Sequence, residues 1–353
     1  MHPLFKILLA PFSLLYGLGV AIHDLLYRQE ILRSTEFSVP VIGVGNLSVG
    51  GSGKTPHVEY LADFLRTYIN VGILSRGYKR KTRGFLLLTE NTTATDAGDE
   101  PMQYFRKYSD VTVAVAENRS YGIINLMGNR PNLQCILLDD SLQHRAVQAG
   151  FSILLTEYSL PFTRDYLLPS GRLREWRSGY QRADTIIISK CPPTLSAENR
   201  QKMIDEIKPY PHQKIFFSYY EYQAPYRFQY PSLTTQLTTG TDILLISAIA
   251  NTDYLLDYLR QKVNTIRTLE FPDHYFFEKT DIGTLKNEYE RLNSRNKIIL
   301  TTEKDAIRLE LHLNLLRDYQ LPIFVLPLRI CFHDKDEEAF QDTIADYLLS
   351  VRK

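Results

Sequence analysis

Cysteine is scarce in this 353-residue sequence: Cys135, Cys191 and Cys331 are the whole complement, and no two form a Cys-x-x-Cys pair. That excludes a disulfide framework and a cysteine-built zinc cage, and it suits a reducing compartment. Excess charge of either sign is missing too, since 41 Lys and Arg stand against 40 Asp and Glu. The balance excludes wrapping of nucleic acid by a globally basic surface, so an anionic partner must be met by a local patch. No internal repeat or low-complexity tract is present, which excludes solenoid and fibrous architectures. Long apolar runs are confined to the N-terminus, where residues 7–22 carry no Asp, Glu, Lys or Arg. That stretch is slightly short of the ~20 residues that span a bilayer upright.

The segment 1–30 therefore reads as a membrane-associated helix, lying in the interface or inserted shallowly, with Lys6, Arg28 and Arg33 at its flanks. Packing of the same helix on the protein's own core is the alternative, while a cleaved leader is disfavoured because no small-x-small site follows. Beyond it, short β-branched runs at 39–44, 71–75, 111–116, 135–138, 151–156 and 185–189 alternate with helical patterns at 57–68 and 119–127. Near-continuous apolar strands between helices predict an α/β fold, a three-layer domain with a mostly parallel sheet. Around 208–232, four prolines break up a run of aromatics, and this reads as a hinge or short β linker. The α/β rhythm resumes at 242–250, 297–302 and 321–328. The expected organisation is a helix at 1–30, a phosphate-loop domain at 31–215, and an aromatic linker with a smaller α/β domain at 216–353.

The chemistry starts at GNLSVGGSGKTP (45–56), which ends like a phosphate-binding loop yet has Ser48 where the usual spacing calls for glycine. A buried strand, a turn with Gly50, Gly51 and Gly53, and Lys54-Thr55 opening a helix is the setting in which backbone N–H groups cradle phosphate. Lys54 is placed to reach the β- and γ-phosphates, and Thr55 to ligate Mg²⁺. CILLDD (135–140) is an apolar strand ending in Asp139 and Asp140, a pattern that sets carboxylates beside a phosphate-bound metal. Asp99, in GDEP (98–101), is either a helix cap or a carboxylate that takes a proton from an attacking hydroxyl. His274, in FPDHY (271–275), is either a packed imidazole or a proton-handling group. Basic clusters at 75–85, with Arg76, and at 171–182, with Arg174, are solvated faces or sites for an anionic head group. Thr302 and Asp305 in TEKDA (302–306) read as a structural capping pair.

Taken together, GNLSVGGSGKTP, SRGYKRK (75–81), GDEP, LDDSLQHR (138–145), SGRLRE (170–175), FPDHY and TEKDA make the chain resemble the tetraacyldisaccharide 4'-kinase family across nearly its whole length. Members of that family phosphorylate the lipid A precursor at the membrane, and their own loop does not demand glycine at the position of Ser48. The resemblance implies ATP and Mg²⁺ at Ser48, Gly50, Gly51, Ser52, Gly53, Lys54 and Thr55, with Lys54 also catalytic. It implies Asp99 as base with His274 assisting, and Asp139, Asp140 and Glu175 around the metal with Thr55. Arg76, Asp99, Gln143 and Arg174 are implied at the acceptor. The implied partners are the lipid A disaccharide precursor and the membrane surface, on the cytoplasmic face of the bacterial inner membrane, with no nucleic acid and no obligate protein partner. A membrane-bound nucleotide switch that hydrolyses ATP or GTP is the rival from another class, and a soluble small-molecule kinase is a third reading. Ser141, Leu142 and Lys79 depart from the family pattern, which has glycine, an aromatic and glycine at those places.

Overall fold

The structure is a computed structural model that describes residues 3–351, with side chains from Lys6 onward; Met1 and His2 of the 1–30 segment lie outside the described residues. Nine strands form the larger sheet, in the order Leu328–Phe332, Lys214–Tyr222, Thr185–Ser189, Phe151–Glu157, Val41–Asn46, Cys135–Asp139, Val71–Ser75, Thr112–Val115 and Leu86–Leu87. All neighbours run parallel except the outermost pair at each edge.

The central strands are buried on both faces, and successive residues feed opposite cores. Ile42 and Val44 pack with Val58, Leu61 and Leu65 of the helix Lys54–Arg66, whereas Val41 packs with Ile123 and Leu126 of the helix Arg119–Asn129. This gives the three layers that the apolar runs predict.

A second sheet has six strands, ordered Tyr230–Thr234, Tyr226–Arg227, Ile323–Leu326, Lys297–Thr302, Asp242–Ser247 and Thr265–Glu270. Its four last-named strands are parallel. Here too alternate residues divide between two cores, Leu244 and Ile246 on one side, Ile243 and Leu245 on the other.

The expected division at residue 215 does not coincide with the boundary between the sheets. The aromatic stretch that reads as a linker contains the strand Lys214–Tyr222, paired with Thr185–Ser189 inside the larger sheet. Phe216, Phe217 and Ser218 are buried in succession, as in a strand covered on both faces, and the prolines that suggested a hinge flank it on either side. The chain later returns to the larger sheet through Leu328–Phe332 and the helix Asp336–Val351.

The N-terminal helix, Pro3–Arg28, carries exposed Ile7, Leu8, Phe12, Leu14, Leu15, Leu18, Ile22 and Leu25. One stripe of it is docked. Ser13 Oγ donates to Ser170 Oγ at 2.8 Å, Trp176 Nε1 donates to the Gly17 carbonyl at 2.8 Å, and Tyr16 Oη donates to the Arg174 carbonyl at 2.7 Å. The helix is thus tied to the segment that carries Arg174, and most of its apolar surface stays uncovered by this chain.

Candidate active site

The strand Val41–Asn46 delivers the glycine-rich loop to the carboxyl end of the larger sheet, where ligands of open α/β sheets bind. Left-handed backbone falls at Gly50 (φ 108°) and Gly53 (φ 87°), not at Ser48. Residues 48 and 49 instead pair with the segment at 172–173: Ser48 bridges Leu173, and Val49 N donates to the Arg172 carbonyl at 2.7 Å. A side chain at 48 is therefore tolerated where an unpaired turn would need glycine. Gly53 is the N-cap of the helix Lys54–Arg66 and supplies no capping side chain, so the positive end of the helix is left for an outside acceptor. The Ser52 hydroxyl is buried without a partner, and the Ser52 carbonyl accepts from Ser189 Oγ at 2.8 Å.

Lys54 Nζ rests on Asn46 Oδ1 at 3.2 Å and on Asp140 at 3.4 Å. Arg174 grips Asp140 with two bonds, Nη1 to Oδ2 at 2.9 Å and Nη2 to Oδ1 at 2.8 Å. Burial pushes the Asp140 carboxyl up, but the Arg174 hydrogen bonds and the Lys54 and Arg174 charges outweigh this and hold it well below the usual carboxylate range. Asp139 is different. One of its oxygens accepts from Ser75 Oγ at 3.2 Å, and the other is buried with no partner. Burial first, then the negative charges of Glu100 and Asp140, push it up to about 7 against the pull of Lys54 and Arg119.

Opposite the loop stands the second sheet. A cleft of about 550 Å³ runs between the two, with Lys54, Thr55 and Asp139 on one wall and His274, Asn251 and Lys304 on the other. His274, in a left-handed turn (φ 57°), points Nδ1 at Asp99 Oδ2, 3.0 Å away. Asp99 starts the helix Asp99–Lys107, is buried, does not line the cleft, and also accepts from Arg308 Nη1 at 3.0 Å. Burial would raise its carboxyl, but Lys304, His274 and Arg308 together hold it well below the ordinary range.

Most of the expected site residues are brought together here: Ser48, Gly50, Gly51, Ser52, Gly53, Lys54, Thr55, Arg76, Asp139, Asp140, Arg174 and His274 all line the cleft. Asp99 reaches it through His274. Arg76 is exposed at the cleft, and among the described residues it pairs with no carboxylate. Glu175 and Gln143 are the exceptions. Glu175 lies off the cleft beside the N-terminal helix, its two oxygens taken by Gln143 Nε2 at 2.7 Å and Arg182 Nη2 at 2.5 Å. Gln143 donates to the Asn46 carbonyl at 2.8 Å and so braces the strand end.

A scan against family models matches residues 5–349 to LpxK, the tetraacyldisaccharide-1-P 4'-kinase family. The chain belongs to that family. It is 40% identical over 352 residues to the tetraacyldisaccharide 4'-kinase of Bacteroides thetaiotaomicron, covering 96% of this chain and 92% of that protein. It is 42% identical over 320 residues to the same-named enzyme of Flavobacterium johnsoniae, covering 91% of this chain and 92% of that one. A crystal structure of the "apo" form of LpxK from Aquifex aeolicus in complex with ATP matches with a TM-score of 0.75 and 28% identity, over 98% of this chain and 99% of that one. Membership makes the protein an enzyme of the kinase class.

Family departures acquire local reasons in the structure. A Cβ on Gly43 would lie 2.5 Å from Ser141 Oγ, and one on Gly45 would lie 2.9 Å from Leu142 Cβ, so the bare strand makes room for both side chains. Lys79 sits at φ 57°, where glycine is easiest, and its Nζ reaches the carbonyls of Asp273 and His274 at 3.3 and 3.4 Å. Sequence reasoning missed Lys304 and Arg308. TEKDA does cap its helix, Thr302 accepting from Asp305 N, but the same turn sends Lys304 into the cleft. Its position at the carboxyl end of a parallel strand was the available signal.

Proposed function

We propose that this kinase transfers the γ-phosphoryl group of ATP to the 4'-hydroxyl of a tetraacyl glucosamine disaccharide 1-phosphate, giving the 1,4'-bisphosphorylated lipid of lipid A biosynthesis. The observation that carries the reading is a phosphate cradle and a histidine–carboxylate pair facing each other across one cleft. The loop N–H groups, Lys54 and the N-terminus of the helix Lys54–Arg66 hold the triphosphate. Tyr220, Tyr222 and Tyr254 offer aromatic surface for the base beside the loop.

Phosphoryl transfer asks for positioning and charge more than covalent help. The acceptor oxygen bonds to the γ-phosphorus as the bond to the β-phosphate oxygen breaks and ADP leaves. The hydroxyl proton passes to the Asp99–His274 pair, with His274 towards the cleft and Asp99 holding its Nδ1. This geometry favours the imidazole as the group that meets the hydroxyl, with the carboxylate behind it.

Magnesium fits the orphaned oxygen of Asp139 and the nearby Thr55, since Mg²⁺ is usually held by one or two carboxylates and phosphate oxygens rather than by a protein cage. It would supply neutralisation of phosphate charge. Among the described residues no cluster of three or more His, Cys, Asp and Glu could hold a metal alone. The exposed side of Pro3–Arg28, long and apolar enough to cross a membrane, supports attachment at the cytoplasmic face of the inner membrane, where the acceptor lipid resides. Incubation with γ-labelled ATP and the disaccharide lipid in detergent should place label in the glycolipid, and Asp99→Asn should lower that transfer at least ~100-fold while nucleotide still binds. Label found only in free phosphate, with the lipid present, would refute the acceptor and favour a hydrolytic switch.

A further inference from the structure

Lys304 is a partly buried lysine whose ammonium reaches the cleft from the start of the helix Glu303–Leu309. Its Nζ lies 3.1 Å from Glu100 Oε1 and 3.2 Å from His274 Nε2, with Asp99 and Asp273 carboxylate oxygens each at 4.0 Å. An ammonium has three protons and no lone pair, so it can only donate to the imidazole. Nε2 therefore carries no proton, and Nδ1 carries the one that is given to Asp99 at 3.0 Å. The run from Lys304 through His274 to Asp99 has a fixed direction.

Carboxylates otherwise surround His274. Asp99 and Glu100 face this cluster from the helix Asp99–Lys107, and Asp273 from the same turn. The Tyr78 ring stands edge-on at 4.8 Å, and the Lys79 ammonium is engaged by the backbone carbonyls of Asp273 and His274. Arg308, on the helix of Lys304, is fully buried and spent on Asp99 and Asp305. Among the described residues Lys304 is the cation in contact with Nε2, and while it stays there it occupies the lone pair that must receive the acceptor's proton.

We propose, building on the phosphotransfer reading above, that Lys304 is a positioning residue that keeps His274 Nε2 unprotonated and capped until nucleotide phosphate draws the ammonium away and opens that nitrogen to the acceptor hydroxyl. The proton then moves from the hydroxyl to Nε2 as the acceptor oxygen bonds to the γ-phosphorus. A basic nitrogen held closed in the absence of nucleotide is matched to the order of events: the acceptor is activated only beside a donor.

The test compares kcat/KM for ATP against pH for the wild type, Lys304→Met, Lys304→Gln and Lys304→Arg, using label transfer into the glycolipid. Removing a cation from beside an imidazole makes protonation easier, so the base is lost at higher pH. In the Met and Gln variants the acid limb of kcat/KM, which reports the enzyme before nucleotide binds, is expected to move up by about one pH unit and neutral-pH kcat/KM to fall by up to ~10-fold. Lys304→Arg, which keeps the charge, should keep the wild-type limb. Gln can retain a bond to Glu100, so it carries the test if the Met variant does not fold, with melting temperature as the check. Folded Met or Gln variants with an unmoved acid limb would overturn the role of Lys304. A wild-type protein that labels no glycolipid would instead overturn the acceptor reading.

Discussion

At the scale of single residues, Asp139 destabilises the protein that carries it. A carboxyl pushed up to about 7 by burial and by Glu100 and Asp140 favours the folded state while protonated, and loses that advantage as pH rises from the ordinary carboxylate value near 4. Asp139→Asn should therefore raise stability by up to about 4 kcal/mol at pH 8, with little change at pH 4, in urea unfolding followed by circular dichroism. The same variant should lose any stabilisation that Mg²⁺ with nucleotide gives the wild type. Asp99 behaves oppositely: held below its ordinary range, it contributes stability at neutral pH that is lost as pH falls below that range. Both aspartates were legible in the sequence as functional candidates. Their opposite environments were not, because those depend on Ser75, Arg308 and Lys304, which join them only in three dimensions.

Among the elements, the strand Val41–Asn46 with its loop shows how shape is set by what is omitted. Gly53 has a left-handed backbone, and a Cβ there would lie 2.6 Å from the Tyr220 hydroxyl. Gly53→Ala should weaken nucleotide binding at least ~10-fold by titration calorimetry and cost about 1–2 kcal/mol of stability from backbone strain. Adding Tyr220→Phe, which removes the oxygen, should recover part of the binding but not the strain. The loop's chemistry could be read from the order of its residues, since phosphate cradles need glycine where the chain turns. That Ser48 is harmless could not, because the reason is a backbone pairing with a segment more than a hundred residues away. The strand Lys214–Tyr222 escaped for a related cause: its free edge is paired by Leu328–Phe332, which the chain supplies only after building the whole second sheet.

For the whole molecule, the second sheet is bolted to the first along two helices, Asp99–Lys107 and Glu303–Leu309. Lys107 reaches Glu303 at 3.0 Å, Arg106 reaches Glu310 at 3.2 Å, Lys304 reaches Glu100 at 3.1 Å, and Arg308 reaches Asp99 at 3.0 Å. Salt screens exposed pairs and leaves buried ones nearly intact, so the Arg308 contact should dominate at high ionic strength. Arg308→Met leaves Asp99 and Asp305 without their buried counter-charge and should destabilise by about 3–5 kcal/mol in urea unfolding, with little sensitivity to salt.

The chain enters and leaves the second sheet at neighbouring points: Tyr222 pairs with Leu328, and Gln223 N donates to the Pro327 carbonyl at 3.0 Å. In architectural terms the second sheet is a guest lodged in a hairpin of its host. The host keeps the phosphate-binding loop and Asp99 and the guest brings His274, so the Asp99–His274 contact forms only where the two stretches meet. With its two ends meeting, the guest interrupts no pairing of the host sheet, so side-chain contacts such as Arg308 to Asp99, more than the chain's connectivity, fix where it sits.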